Sequence, residues 1–251
     1  MFESIKGKKI LITGATGGIG SAFVELFAEY GAHLGLHYAK NHKKALNLLK
    51  KTREKTPSEI FKANLLKSSE IKQLTKSFIK KFGGIDMLIN NAGAVFDQID
   101  FRELSEKSWQ NTFDLNVKAP FMLSRDIFNS MRNQGGGKII NISSVNVKYG
   151  GSGRSMHYIA SKAALESITK TLAKEGAKYD ILVNAIRPGL IDTPMRTKIK
   201  GYSEKDFLKR IELVPLKRAG NPIDIAKMAL FLAAETGDFI TGEIFTVAGG
   251  D

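Results

Sequence analysis

The feature that most constrains this chain is a regular alternation of short apolar runs with amphipathic segments of ten or more residues. Lys9-Ile10-Leu11-Ile12-Thr13 reads as a buried strand, and a glycine turn and a helix over 18–30 follow it. The pattern then predicts a strand at 32–38, a lysine-rich helix at 43–55, a strand at 59–63 and a helix at 68–82. Strands at 86–90, 138–143 and 181–187 alternate with long helices over 108–133 and 156–179. A loop-rich section, a helix near 223–234 and a strand at 244–247 complete the chain. Strands joined through helices pair in parallel, because a parallel neighbour is reached only by a long crossover. The expected fold class is therefore α/β, an open, doubly wound parallel sheet with helices on both faces.

Composition sets the remaining bounds. The 251 residues show no linker, charge block or internal repeat, so a single domain over 1–251 is expected. A hydrophobic content of 43% suits a globular core. No stretch approaches the roughly 20 apolar residues of a membrane helix, and residues 1–9 lack the pattern of an export signal, so no membrane partner and a cytoplasmic location are expected. The absence of cysteine excludes disulfides, thiol nucleophiles and thiolate zinc sites. His33, His37, His42 and His157 lack metal-ligand spacing, so no metal is expected. The net charge of +13 comes from lysines spread over many expected helices with no aromatic platform beside them. That pattern reads as a solvated basic surface attracting anionic ligands, with no nucleic-acid partner.

Thr13-Gly14-Ala15-Thr16-Gly17-Gly18-Ile19-Gly20 joins the first expected strand to the first helix. Glycines at 14, 18 and 20 let backbone N–H groups approach a pyrophosphate at the positive end of a helix. A carboxylate at the end of the second strand would accept hydrogen bonds from a ribose 2′-OH and repel a 2′-phosphate. No acidic residue lies between His33 and Arg53; the segment offers Tyr38, Lys40, Asn41, His42, Lys43 and Lys44. The expected cofactor is NADP, with NAD as the alternative. Asn90-Asn91-Ala92-Gly93, closing the fourth strand, would let a ribose and adenine pack close to the backbone.

Tyr158 and Lys162 stand four apart, on one face of the expected helix. A nearby ammonium is expected to lower the phenol below its ordinary value of about 10, into the range of an acid–base catalyst. The Ser143-Ser144 pair lies upstream, at the end of the fifth strand.

The glycine turn, Asn90-Asn91-Ala92-Gly93, Asn116, Ser144, Tyr158-Ile159-Ala160-Ser161-Lys162 and Arg187-Pro188-Gly189 together resemble the short-chain dehydrogenase/reductase family. The resemblance covers essentially the whole chain, through Ala248-Gly249-Gly250, and is greatest to 3-oxoacyl-acyl-carrier-protein reductases. It implies a Rossmann-like oxidoreductase acting on a carbonyl or alcohol, with a carrier-protein-bound acyl chain as one candidate substrate. A sugar or polyol dehydrogenase, or a non-enzymatic dinucleotide sensor, are the alternatives. Carried over, Tyr158 is the acid–base residue, Lys162 lowers its pKa and holds a ribose, Ser144 binds the substrate oxygen and Asn116 anchors a relay water. Gly14, Thr16, Gly18, Ile19, Gly20, Tyr38, Lys40, Asn64, Leu65, Asn91, Ala92, Gly93, Pro188, Gly189, Ile191 and Thr193 line the cofactor. Three departures stand out: Ser144 precedes Tyr158 by fourteen residues where the commonest family spacing is thirteen, which leaves Ser143 as its alternative; Gly17 stands where many NADP-dependent members have a basic residue; and Asn64 stands where many have aspartate. The segment 190–218 reads as a substrate lid, with Phe207, Leu208, Ile211 and Leu213 at helical spacing and with Arg196 and Lys198 available to an anion. A homotetramer is the assembly the resemblance implies.

Overall fold

The computed structural model describes residues 2–194 and 203–251. Strands β1 (Lys9–Ile12), β2 (His33–Tyr38), β3 (Ser58–Lys62), β4 (Met87–Asn90), β5 (Gly137–Ile142), β6 (Ile181–Pro188) and β7 (Ile244–Val247) form one sheet in the order β3-β2-β1-β4-β5-β6-β7. Every neighbouring pair is parallel; Ile10, for example, faces Leu34 of β2 on one side and Met87 of β4 on the other. The crossovers carry α1 (Gly18–Glu29), α2 (His42–Arg53), α3 (Ser68–Phe82), α4 (Glu106–Phe113), α5 (Ala119–Asn133), α6 (Asn146–Tyr149), α7 (Met156–Ala177), α8 (Glu204–Leu213) and α9 (Pro222–Ala233).

Side-chain alternation explains the two helical layers. Successive strand residues face opposite sides of a sheet. Ile10, Ile12, Leu34, Leu36, Met87, Ile89, Ile140 and Ile186 face one layer, where Phe23 and Phe27 of α1, Leu48 of α2 and Leu230 of α9 cover them. Leu11, Leu88, Ile139 and Val183 face the other, against Leu74 and Phe78 of α3, Leu123, Ile127 and Met131 of α5 and Ala173 of α7. The strands therefore read as unbroken apolar runs because both faces are buried. Each fully buried side chain such as Phe23 or Phe78 contributes about 1.5–3 kcal/mol.

The helix expected over 108–133 is not continuous. α4 runs into a π-helical turn at Asp114–Lys118, and α5 begins only afterwards. Pro120, in the first turn of α5, has no N–H to donate back into a preceding helix. Asn116, fully buried in the wide turn, is held inward by hydrogen bonds to Ala94 and Ser161. Such turns recur at functional sites.

Candidate active site

The chain winds outward from β1 to β2 and β3, then returns to set β4 on β1's other flank. At such a reversal the loops leaving the two strands part and open a crevice at their carboxyl ends. Thr13 stitches its walls together: its Oγ1 accepts from the Asn91 and Ala92 N–H groups at 2.9 and 3.0 Å and donates to the Ile89 carbonyl at 3.2 Å. Asn91 Nδ2 returns donors to the Thr13 and Gly14 carbonyls at 2.8 and 3.2 Å.

The residues present fit a dinucleotide. α1 starts at Gly18 with no side-chain cap, leaving the N–H groups of its first turn and the positive end of its dipole for an anion. A Cβ on Gly20 would lie 2.1 Å from the Gly14 carbonyl oxygen, so the turn closes only around glycine. On Gly93 it would lie 3.1 Å from both Lys162 Nζ and Asn116 Oδ1, which places the loop after β4 directly beside the catalytic candidates. Thr193 comes down on the same turn, 2.7 Å from where a Gly18 Cβ would stand. Ile191 is held there by a parallel bridge to Gly220, and the Gly189 N–H donates to the Val247 carbonyl at 3.0 Å. Thr16 and Ile19 lie within the turn and the start of α1.

Ser144, Tyr158, Lys162 and Asn116 converge. Ser144 follows β5, Tyr158 and Lys162 occupy the first two turns of α7, and Asn116 enters from the π-helical turn. Lys162 is buried; its Nζ donates to the Ile142 carbonyl at 2.7 Å and lies 5.7 Å from the Tyr158 ring centre. Burial lowers its ammonium to about 8. Asn116 Nδ2 donates to the Ala94 carbonyl (2.9 Å) and to Ser161 Oγ (3.0 Å), and its Oδ1 accepts from the Ala94 N–H (3.1 Å). The two serines divide the work. Ser143 Oγ donates to Glu166 Oε1 at 2.6 Å and turns away, whereas Ser144 hydrogen-bonds Tyr158.

One expectation is overturned. Burial pushes the Tyr158 phenol above its ordinary value, and the Ser144 hydrogen bond pulls it down by less. The net direction is upward, set by burial, although the Lys162 ammonium lies 5.7 Å from the ring centre.

At the adenine end, Asn64 Oδ1 accepts from the Leu66 N–H at 3.1 Å, so the side-chain carbonyl closes its own turn while Leu65 is buried. Tyr38 is buried and its hydroxyl meets His42 Nδ1 at 2.6 Å, whereas Lys40 is exposed. In the expected lid, Phe207 is buried but Leu208 and Leu213 are 56% and 71% exposed, so the α8 face is narrower than its spacing suggests. Met195, Arg196, Lys198 and Lys200 lie outside the described residues. Pro188 ends β6, directly before Gly189.

The sequence reading missed a part-buried ion pair at the end of β6. Arg187 Nε and Nη2 donate to the two Glu166 oxygens, each at 2.6 Å, and Ser143 completes the set. The spacing of Glu166, four residues past Lys162 and so on the same helix face, was the available signal.

A family model described as enoyl-(acyl carrier protein) reductase matches residues 14–251. The chain belongs to the short-chain dehydrogenase/reductase family. Among curated relatives, the 3-oxoacyl-[acyl-carrier-protein] reductase FabG of Thermotoga maritima is 37% identical over 248 residues, 98% of each chain. The Staphylococcus epidermidis protein of the same name is 35% identical over 244 residues, 97% of this chain and 98% of that one. Among solved structures, a blue fluorescent protein from a metagenomic library in complex with NADPH superposes with TM-score 0.91 at 30% identity, covering 98% of both chains. A short chain dehydrogenase from Burkholderia cenocepacia J2315 in complex with NADP gives TM-score 0.91 at 25% identity with the same coverage. As a short-chain dehydrogenase/reductase, this chain is an oxidoreductase acting with NAD(P) on a carbonyl/alcohol pair.

Proposed function

We propose that the protein is an NADP-dependent reductase of 3-oxoacyl thioesters, with an acyl chain borne by a carrier protein as its physiological substrate. The observation that carries the proposal is the convergence of Ser144, Tyr158 and Lys162 beside the glycine turn. The bound cofactor would supply the hydride. Gly14, Thr16, Gly18, Ile19 and Gly20 would hold its pyrophosphate, and Asn64 and Leu65 would flank the adenine. Asn91, Ala92 and Gly93 would line the riboses, and Pro188, Gly189, Ile191 and Thr193 the nicotinamide side. Ser144 and Tyr158 would both donate to the ketone oxygen, and Tyr158 would pass it a proton as negative charge develops there. Lys162 would hold ribose hydroxyls, and Asn116 would anchor the water that reprotonates the phenol.

Helix α2 supports NADP over NAD. Its first turn holds His42, Lys43 and Lys44, with no acid, at the end where a helix dipole disfavours positive charge. With Tyr38 and Lys40 just before it, that cluster suits the 2′-phosphate. Arg132 and Lys178 lie 5.6 and 5.1 Å over the Tyr179 ring, a basic pair suited to an acidic carrier. The relatives' names support the acyl substrate. We read residues 1–251 as a single domain with a lid over 190–218. A homotetramer is supported by the exposed Trp109 and Phe121 on the α4–α5 face. A cytoplasmic location accords with the fact that no helix among the described residues is long and apolar enough to cross a membrane.

The test follows NADPH absorbance with acetoacetyl and crotonyl thioesters, for wild type and Tyr158→Phe. The expected result is turnover of the ketone, a loss of about 10²–10⁴-fold in the variant, and unchanged NADPH binding. Equal turnover by the variant would remove the phenol from the chemistry. A preference for the crotonyl thioester would move the reading to enoyl reduction, the activity in the family model's description. Oxidation of polyols alone would select a sugar or polyol dehydrogenase, and inertness towards every substrate would select a dinucleotide sensor.

A further inference from the structure

His37, next to last in β2, is 2% exposed, and both polar contacts of its ring are to backbone groups on different walls of the cofactor crevice. Its Nδ1 is 3.0 Å from the Gly14 nitrogen, and its Nε2 is 3.0 Å from the Ala63 carbonyl oxygen. These partners dictate the state of the ring. The Gly14 N–H can only donate, so Nδ1 accepts and carries no proton. The Ala63 carbonyl can only accept, so Nε2 carries the hydrogen. A neutral imidazole in one tautomer is the only form that satisfies both.

The peptide groups it holds are at the centre of the turn. Gly14 sits at φ +64°, and a Cβ there would lie 3.0 Å from the Ala92 Cα. Its carbonyl is held by Asn91 Nδ2, while the His37 ring holds its N–H and the His37 carbonyl accepts from the Ala15 N–H at 2.9 Å. Ala63, at the other end of the ring, directly precedes Asn64 and Leu65. One side chain therefore spans the turn after β1 and the wall after β3.

We propose that His37 is a positioning residue of the dinucleotide site, which sets the spacing between the glycine turn and the adenine wall through its two backbone hydrogen bonds. The proposal rests on the cofactor reading above. Cofactor affinity then depends on His37, whereas the proton chemistry at Tyr158 does not.

Three variants separate the two bonds. Asparagine places an acceptor on Cγ, as Nδ1 is placed, and keeps the Gly14 bond. Glutamine reaches toward Ala63 with a donor but gives up the Gly14 acceptor. Leucine removes both. The experiment measures the NADPH Kd by fluorescence, kcat at saturating NADPH and the melting temperature, on the full chain. His37→Leu and His37→Gln are expected to raise Kd by about 10-fold or more with kcat nearly unchanged, and His37→Asn to restore affinity. If His37→Leu does not fold, the Asn and Gln variants decide between them. Wild-type affinity in both the Leu and Gln variants would overturn the proposal, as would an Asn variant that folds but binds as weakly as Gln. Should the wild-type protein bind neither NADPH nor NADH, the cofactor reading itself fails, a result separate from any ranking of variants.

Discussion

Lys162 and His37 are both buried bases whose charged forms the fold disfavours, and their effects on stability fall in different pH windows. Burial brings Lys162 from 10.5 to about 8. Between those values the unfolded chain binds the extra proton, so stability rises with pH across that window and carries the full cost below it, about 3 kcal/mol. Denaturant unfolding of wild type and Lys162→Met at pH 7 and pH 10 should show the variant's relative advantage shrinking as pH rises; a constant gap would sink the assignment. Burial brings His37 from 6.5 to about 4, against the raising effect of its Ala63 bond. Its contribution is intact above pH 6.5 and is lost as pH falls toward 4, again about 3 kcal/mol in all. His37→Asn should therefore lose less stability than wild type between pH 7 and pH 5. That Tyr158 and Lys162 share one helix face was legible in the sequence, because a four-residue spacing on a helix fixes it. The direction in which Tyr158 shifts was not, because it turns on burial, which tertiary packing sets.

Among the elements, strands and crossovers followed from hydrophobic period alone. β1, β4 and β5 are buried on both faces and could be read directly as apolar runs. The π-helical turn at Asp114–Lys118 escaped, since Asn116 is drawn inward by Ala94 and Ser161, partners 22 and 45 residues away. The short α6 also escaped; four residues carry no period to detect. Gly35 in β2 makes a test at this scale. An ideal Cβ there would stand 2.4 Å from the Phe78 ring, so α3 can seat on the sheet only against a bare backbone. Gly35→Ala should cost about 1–3 kcal/mol by overpacking, measured by denaturant unfolding. Gly35→Ala with Phe78→Leu should lose less than the two single variants summed; strict additivity would mean the contact is not the cause.

For the whole molecule, a doubly wound parallel sheet was implied by the alternation, whereas its strand order and the exposed rings of α4 and α5 were not. Trp109 and Phe113 stack with centroids 5.1 Å apart, and Trp109 is 41% and Phe121 42% exposed, so these two helices present apolar rings to solvent. If the proposed tetramer uses this face, Trp109→Glu with Phe121→Glu should lower the mass measured by light scattering while leaving the far-ultraviolet circular dichroism unchanged. A native mass in that variant would direct attention to another surface. The division of labour along the sheet has a further consequence. The glycine turn, His37 and the adenine wall belong to β1, β2 and β3, whereas Ser144, Tyr158 and the segment after β6 belong to the other flank. The flanks meet where Thr193 reaches the turn at Gly18 and where Asn91 bonds Thr13 and Gly14, so a descendant of this chain that acquires new chemical tastes while inheriting its fuel supply must leave those contacts standing.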